Sequence, residues 1–178
     1  MTNYVYIATS LDGYIATPDG GVDWLMDIPN PTGSDYGFAE FMSGIDALVM
    51  GRNTFEKVLS FGQWPYDKPV FVLSRTLQTV PEHLAGKVEI VRDDVVPLVS
   101  ALNERGHVDL YIDGGRVIQS FLKADLIDEM IITRVSILLG DGVPLFGTLA
   151  DPLTFAHTKT ETLSDMLIQS HYTRARNA

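Results

Sequence analysis

Residues 110–118 read Leu-Tyr-Ile-Asp-Gly-Gly-Arg-Val-Ile, an apolar run that passes through two glycines into a stretch with helical spacing. The run predicts a buried strand, and residues 116–123 predict a helix with Val117, Phe121 and Leu122 on one face. A strand that enters a helix through a short turn is the first half of a β-α-β crossover, which joins parallel strands. The stretch therefore predicts an α/β fold.

The same alternation of apolar runs and amphipathic stretches continues along the chain. We predict seven strands, over residues 4–9, 47–50, 70–74, 88–91, 110–112, 129–138 and 167–174. Two further helices are predicted over residues 35–42 and 95–105. The link between the last two strands is rich in Gly and Pro, which suits antiparallel pairing. We expect an α/β fold built on a mixed, mainly parallel sheet, with helices on both faces and a C-terminal antiparallel strand pair.

Composition and charge limit the classes of function. The 178 residues are 46% hydrophobic and show no repeat or low-complexity linker, which predicts a single domain over residues 1–178. A net charge of −10 repels phosphate backbones and anionic lipid, so we expect neither nucleic acid nor membrane as a partner.

Cysteine and histidine usage limits the chemistry further. The chain has no cysteine, which excludes thiolate nucleophiles, disulfides and zinc–thiolate sites. The four histidines lack metal-binding spacing, so no metal site is predicted. The N-terminus reads as a strand rather than a signal peptide, and we expect a cytoplasmic location.

Three of the predicted strands end in small, hydroxyl or basic residues. Residues 50–54 read Met-Gly-Arg-Asn-Thr, residues 73–75 read Leu-Ser-Arg, and residues 113–116 read Asp-Gly-Gly-Arg. Open α/β sheets bind ligands at the carboxyl ends of their strands, and helix N-termini there attract phosphate. Each turn alone has a structural explanation, because a glycine can serve only an unusual backbone angle and a threonine only a helix cap. Together the three turns favour an extended dinucleotide.

Neither the G-x-G-x-x-G fingerprint nor a P-loop sequence accompanies these turns. Asp113, directly before the two glycines, would repel a phosphate unless its side chain points elsewhere.

These turns and residues 7–16, Ile-Ala-Thr-Ser-Leu-Asp-Gly-Tyr-Ile-Ala, occur in the order and approximate spacing of the dihydrofolate reductase superfamily. The chain most resembles the branch of stand-alone relatives of the RibD C-terminal reductase domain. The resemblance implies a dihydrofolate reductase-like fold, NADPH as cofactor, and hydride transfer to a C=N bond or ribosyl group of a nitrogen-heterocycle substrate. The implied reaction is of the 5-amino-6-(5-phosphoribosylamino)uracil reductase type, in riboflavin biosynthesis. The alternatives are a pteridine reductase and a non-catalytic NADPH-binding protein.

The resemblance also implies a homodimer, and the alternating pattern of residues 129–138 suits a subunit contact.

The resemblance implies which residues hold NADPH. Ala8 and Ile15 flank the nicotinamide, and residues 11–24 form a mobile loop that closes over it. The other cofactor contacts are Gly51, Arg52, Asn53 and Thr54 for phosphates, Leu73, Ser74 and Arg75 for the adenosine 2′-phosphate end, and Gly114, Gly115, Arg116, Val117 and Ile118 for the pyrophosphate. The charges of Arg52 and Arg75 favour NADPH over NADH.

The implied catalytic residues are Asp35 and Thr133. Asp35 falls where folate reductases keep a buried acid, and Thr133 aligns with the threonine that hydrogen-bonds that acid. A carboxyl group in an apolar cleft has a raised pKa and can organise protonation of a ring nitrogen. Because Asp35 follows a loop rich in Pro and Gly, the alternative is that it only caps a helix. Trp24 and Phe38 are expected to contact the substrate.

Overall fold

An eight-stranded sheet forms the centre of the molecule. The computed structural model describes residues 1–176. Its strands are β1 (Thr2–Thr9), β2 (Tyr14–Ala16), β3 (Ala47–Gly51), β4 (Val70–Leu73), β5 (Val88–Val91), β6 (Asp109–Asp113), β7 (Glu129–Val135), β8 (Val143–Pro144), β9 (Phe155–Thr162) and β10 (Leu167–Arg174). Its helices are α1 (Asp23–Met26), α2 (Phe38–Ser43), α3 (Arg52–Ser60), α4 (Val95–Glu104) and α5 (Gly115–Lys123), with a 3₁₀ turn over Glu82–Leu84.

The strands of the large sheet lie in the order β5-β4-β3-β6-β1-β7-β10-β9. The six strands from β5 to β7 in this order run parallel to one another, while β10 is antiparallel to both β7 and β9. Strands β2 and β8 form a separate antiparallel pair. The sheet is therefore mixed and mainly parallel, with an antiparallel pair at the C-terminal end, and the predicted fold class is confirmed.

Both faces of the sheet are covered by helices, which explains the continuous apolar runs of the central strands. In β3, Val49 packs into the cluster on one face and Leu48 into the cluster on the other, and both side chains are fully buried. Helices α4 and α5 cover the first face, where Phe121 is fully buried. Helices α2 and α3 cover the second face with the aromatic rings of Phe38 and Phe55.

The structure corrects the bounds of two predicted elements and adds a long strand that was not predicted. The helix predicted over residues 35–42 begins only at Phe38, because Gly37 before it has a left-handed φ of 88°. The strand predicted over residues 129–138 ends at Val135. Strand β9 was not predicted, because most of its side chains are polar and exposed at the edge of the sheet, where an apolar run is not needed.

The subunit contact expected from residues 129–138 cannot form by pairing of β7 with a strand of another subunit. Strand β7 lies between β1 and β10, so both of its hydrogen-bonding edges are already paired. The alternating pattern reflects a strand with every second side chain buried in the layers that cover the sheet. A subunit contact through another surface of these residues stays a prediction. Within residues 1–176, no helix is long and apolar enough to span a membrane.

Gly114 tests how tightly the carboxyl edge of the sheet is packed. Its φ is +87°, and a Cβ atom on it would lie 2.2 Å from Thr54 Oγ1, whereas Gly106 has the same φ and no atom within 4 Å of such a Cβ. We expect Gly106→Ala to cost about 1 kcal/mol of unfolding free energy from backbone strain alone. Gly114→Ala should cost about 1–3 kcal/mol more, because the added methyl overpacks the contact.

The measurement is urea unfolding of both variants beside the wild type. Equal losses for the two alanines would show that Thr54 moves aside freely and that the edge is not tightly packed.

Candidate active site

The turns after β3 and β6 pack against each other at the carboxyl edge of the sheet. Their strands are neighbours, and each turn leads within one or two residues into a helix. A Cβ on Gly51 would lie 3.2 Å from Val117 Cγ2, and a Cβ on Gly114 would overlap Thr54. The residues predicted at 51–54 and 114–118 are therefore brought together, and their glycines are needed for the packing of one turn on the other.

Ile15 joins this edge from the small β2–β8 sheet. A Cβ on Gly115 would lie 2.9 Å from Ile15 Cδ1 and 3.3 Å from the carbonyl oxygen of Pro144. The hairpin that carries Ile15 is tied down by Asp12, whose carboxylate accepts hydrogen bonds from Ser10 Oγ at 2.6 Å and from the Gly140 N–H at 2.7 Å. This part of the predicted loop over residues 11–24 is thus attached to the turn at 139–140.

A second part of the site lies at the ends of β4 and β5. A cleft of about 360 Å³ is lined by Leu73, Ser74, Arg75, Arg92, Asp93, Asp94, Val95 and Ser120. Arg75 Nη2 is 2.9 Å from Asp94 Oδ1, in an ion pair that is largely exposed to solvent. Arg92 was not predicted, although it directly follows a predicted strand as Arg75 follows β4.

Arg52 connects the two parts of the site. Its Nη1 donates to Thr76 Oγ1 at 3.0 Å, and its Nε pairs with Glu56 at 3.1 Å. Ser74 Oγ accepts from the Leu77 N–H at 3.0 Å, which folds the turn after β4 back on itself. Arg52 therefore spans from the end of β3 to the turn after β4.

Three helices begin at this edge without a side-chain cap. In the described residues, no side chain accepts a hydrogen bond from the first turn of α3, α4 or α5. The N–H groups of a helix's first turn have no partner within the helix and attract anions. Ile118 is an exception among the predicted contacts, because its side chain is fully buried and its N–H donates to the Gly114 carbonyl at 3.0 Å.

Asp113, the last residue of β6, is the acid of the site. Its side chain lies on the same face as Tyr111, and its Oδ1 accepts a hydrogen bond from the Gly114 N–H at 2.8 Å. Burial raises the pKa of Asp113 to about 6, despite the opposing hydrogen bond from the Gly114 N–H. The Tyr111 O–H donates instead to the carbonyl oxygen of Tyr6, at 2.9 Å. Burial also raises the pKa of Tyr66 and Tyr111, so this carboxyl group faces neutral phenols.

Sequence reasoning treated Asp113 only as an obstacle to phosphate binding. The structure resolves that conflict, because Asp113 points to the face covered by α2 and α3, whereas the cleft with Arg75 includes residues of α4 and α5. The alternation of β6 carries the signal that identifies Asp113: a carboxylate two residues after Tyr111 shares the buried face of that strand.

A wall of polar side chains continues from Asp113 along the same face. Tyr6 on β1, Thr133 on β7 and Gln169 on β10 are joined through Gln169 Nε2, which lies 3.1 Å from Tyr6 Oη and 3.0 Å from Thr133 Oγ1. Phe38 packs against Tyr6 with ring centroids 5.5 Å apart, so this predicted substrate residue does stand beside the wall. Gln169 is buried and was not predicted.

Asp35 does not occupy the apolar cleft expected for it. It is exposed, and its carboxylate accepts hydrogen bonds from the N–H groups of Gly37 at 3.0 Å and Ala39 at 2.9 Å, at the start of α2. These hydrogen bonds lower the pKa of Asp35, so the expected raised pKa is wrong. The capping alternative accounts for the contacts observed, and the catalytic role of Asp35 stays a prediction.

The expected hydrogen bond between Thr133 and Asp35 is also not formed. Thr133 Oγ1 instead accepts from Gln169, because Thr133 and Gln169 lie directly opposite each other on neighbouring antiparallel strands. Trp24 is half-buried in α1, and its indole N–H has no hydrogen-bond partner within residues 1–176. Because that nitrogen is itself buried, the substrate contact expected of Trp24 stays a prediction.

Residues 4–168 match the RibD C-terminal domain family. In Bacillus subtilis (strain 168), the uncharacterized protein YwjB is 33% identical over 175 residues, covering 96% of this chain and 97% of YwjB. The uncharacterized protein YyaP of the same organism is 26% identical over 183 residues, covering 93% of this chain and 91% of YyaP.

Two solved structures extend the comparison. A Shewanella sp. PV-4 protein, assigned provisionally to riboflavin biosynthesis, is 55% identical with a TM-score of 0.95, over 99% of this chain and 100% of that one. The diaminohydroxyphosphoribosylaminopyrimidine deaminase/5-amino-6-(5-phosphoribosylamino)uracil reductase of Thermotoga maritima has a TM-score of 0.75 at 17% identity, over 98% of this chain and 56% of that one. The second similarity shows the fold alone. Because the family match covers nearly the whole sequence, the chain belongs to the RibD C-terminal domain family.

Proposed function

We propose that the protein is an NADPH-dependent reductase that transfers a hydride to the ribosylamino group of a nitrogen-heterocycle substrate of the 5-amino-6-(5-phosphoribosylamino)uracil type. The observation that carries the proposal is Asp113, an acid with a pKa of about 6 at the junction between the glycine turns and the polar wall. A protonated acid beside a dinucleotide edge is what reduction of a C=N bond needs. The Thermotoga maritima protein bears the name of such a reductase and shares the fold.

The residues present fit a phosphorylated dinucleotide. Gly51 and Gly114 let the two turns approach each other closely, and the uncapped N-termini of α3 and α5 offer N–H groups to phosphates. Arg75 and Arg92 converge on a cleft large enough for the adenosine 2′-phosphate end. NADPH, when bound, supplies the hydride. A homodimer stays an expectation of the proposal.

Asp113 supplies the proton. When the ribosylamino sugar ring of this substrate opens, its anomeric carbon and the exocyclic nitrogen form a C=N bond. Reduction of that bond consumes one hydride at the sugar carbon and one proton at the nitrogen, and Asp113 holds a proton in part of the molecules near neutral pH. The carboxylate left behind is then reprotonated from water. The polar wall formed by Tyr6, Thr133 and Gln169 offers hydrogen bonds to the edge of a heterocycle.

A pyrimidine is favoured over a pteridine by the position of Asp35. The pteridine alternative depended on a buried acid at that position, and Asp35 is instead an exposed carboxylate engaged in capping. The non-catalytic alternative makes a different prediction, because it requires NADPH binding without consumption. Turnover measurements separate it from the proposal.

Arg75→Ala is expected to weaken NADPH binding about tenfold and to change NADH binding by about twofold or less. The reason is that a charge-assisted hydrogen bond to a phosphate contributes about 1–2 kcal/mol, and NADH lacks the 2′-phosphate. The measurement is a fluorescence titration with each dinucleotide at one fixed ionic strength.

Arg105→Ala is the matched control, since Arg105 is a half-exposed arginine paired with Glu89 and does not line the cleft. Equal losses of NADPH and NADH on Arg75→Ala would remove the 2′-phosphate assignment.

Asp113→Asn is expected to lower kcat by about a hundredfold or more while leaving NADPH affinity near the wild-type value. In the wild type, kcat/KM should fall about tenfold per pH unit above a pH of about 6, because the acid must be protonated. The variant should lose that pH dependence. The measurement is NADPH consumption with 5-amino-6-(5-phosphoribosylamino)uracil across pH.

Asp35→Asn is the control, because its amide oxygen can still accept one of the two capping hydrogen bonds and asparagine is a good N-cap residue. Turnover that survives Asp113→Asn but not Asp35→Asn would reverse the assignment of the acid.

Asp113→Asn should also stabilise the protein above a pH of about 6. Because the folded-state pKa of about 6 exceeds the ordinary carboxyl pKa of 3.8, the folded protein binds the proton more tightly than the unfolded chain does. Unfolding free energy contributed by Asp113 therefore falls as pH rises from about 4 to about 6, and then stays low. In urea unfolding, the difference in unfolding free energy between the variant and the wild type should grow over that pH range. Asp67→Asn, at an exposed aspartate, serves as the control. A constant difference would show that Asp113 titrates normally.

A further inference from the structure

A chain of hydrogen bonds in the polar wall has a fixed direction. Tyr6 Oη lies 2.9 Å from the carbonyl oxygen of Tyr36, and Gln169 Nε2 lies 3.1 Å from Tyr6 Oη and 3.0 Å from Thr133 Oγ1. Tyr36 precedes α2 and has a left-handed φ of 54°, which is uncommon for a tyrosine. The chain thus connects the irregular loop before α2 with strands β1, β7 and β10.

The backbone carbonyl at one end decides the direction of every bond. A carbonyl oxygen can only accept a hydrogen bond, so Tyr6 must donate its single O–H to the carbonyl oxygen of Tyr36. Burial raises the pKa of Tyr6, which keeps that proton on the phenol. Tyr6 Oη must then accept from Gln169, and this requires the NH₂ group of the amide to face Tyr6.

The same NH₂ group fixes Thr133. One of its two hydrogens goes to Tyr6, and the other points to Thr133 Oγ1, which must accept it. Gln169 Oε1 lies on the opposite side, 3.3 Å from His171 Nε2. Burial lowers the pKa of His171, with Lys159 acting in the same direction and Glu161 against it, so the ring is neutral at neutral pH. A neutral ring with its hydrogen on Nε2 donates to that oxygen.

Thr133 is left with one unused hydrogen. Its oxygen accepts from Gln169, and in the described residues its own O–H donates to no protein acceptor. Thr133 is half-buried and lies in register with Ala8, the residue expected beside the nicotinamide. The unused donor therefore stands where the proposed substrate and cofactor meet.

We propose that Gln169 is a positioning residue that holds Thr133 as a hydrogen-bond donor, so that the site selects heterocycles presenting a carbonyl oxygen or an unprotonated ring nitrogen to Thr133. This inference rests on the proposed function for the identity of the ligand, and on the protein's own contacts for the direction of the bonds. A uracil ring, whose carbonyl oxygens are acceptors, satisfies such a donor. A ring with only N–H groups at that position leaves two donors facing each other, which costs binding energy.

The direction of the bonds is tested without any ligand, by NMR of the ¹⁵N-labelled protein. The side-chain NH₂ of Gln169, identified by its loss in Gln169→Glu, should give two separate proton signals. Thr133→Val should shift one of them and Tyr6→Phe the other, whereas Thr173→Val, at an exposed threonine of β10, should shift neither. If neither NH₂ signal shifts in Thr133→Val or in Tyr6→Phe, the amide is turned the other way and the inference is overturned. Thr133→Ser keeps the hydroxyl and should reproduce the wild-type signals, which guards against a general effect of substitution.

The selection of an acceptor is tested by calorimetric titration with 5-amino-6-(5-phosphoribosylamino)uracil. Thr133→Val should weaken binding about tenfold, and Thr133→Ser should stay within about twofold of the wild type. Gln169→Glu should also weaken binding about tenfold, because a carboxylate accepts the Thr133 hydrogen and turns it away from the ligand.

The Thr133→Val/Gln169→Glu double variant should bind no more weakly than Thr133→Val, since both changes remove the same donor. A further loss in the double variant would show that the charge of Glu, rather than Thr133, causes the effect and would overturn the inference. Wild-type affinity in Thr133→Val would overturn it as well.

Failure of the proposed function gives a different result. A wild type that binds NADPH but not the uracil compound overturns the proposed substrate and the selection argued from it, while the NMR signals still decide the direction of the bonds. A wild type that binds neither overturns the cofactor assignment.

Discussion

The contact between Gly114 and Thr54 is the constraint on which the site depends. Two parallel strands, β3 and β6, lie side by side and end at the same edge, so the turns that follow them must share one space. That space holds the hydroxyl group of Thr54 and leaves no room for a Cβ atom on Gly114. Because each turn has no room for further residues, α3 and α5 start almost at the sheet, and their first N–H groups stay at the edge without a side-chain cap.

The sheet also separates groups that require opposite electrostatic surroundings. A phosphate site needs cations and N–H donors, whereas an acid that keeps its proton near neutral pH needs a surrounding without cations. Arg75 belongs to a cleft shared with residues of α4 and α5, while Asp113 faces the phenols of Tyr66 and Tyr111 on the other side. Adjacent positions in sequence, Asp113 and Gly114, thus serve different chemistry because a strand alternates its side chains between faces.

The parts of this arrangement that could be predicted from the sequence are those set by local patterns. Buried parallel strands such as β3 are continuous apolar runs, and the strand-glycine-helix turns indicate the carboxyl edge of the sheet. The exposed edge strand β9 lacks that signal, since its residues are mostly polar. The position of Asp35 was misjudged because a match in spacing does not report burial, and a loop capped by its own carboxylate satisfies the same spacing.

The polar wall could not be predicted from local sequence patterns, for a different reason. Its members, Tyr6, Thr133 and Gln169, come from three distant strands, and Tyr6 is also bonded to the backbone carbonyl of Tyr36 in a fourth segment. These hydrogen bonds join residues up to 163 positions apart. No sequence window contains a donor together with its acceptor, so the direction of the bonds appears only when a carbonyl group at one end fixes it. The edge proposed for the cofactor follows from short turns, whereas the polar wall proposed for the substrate follows from the pairing of strands. Under the proposed function, substrate choice therefore depends on residues that can change without disturbing the turns at the cofactor edge.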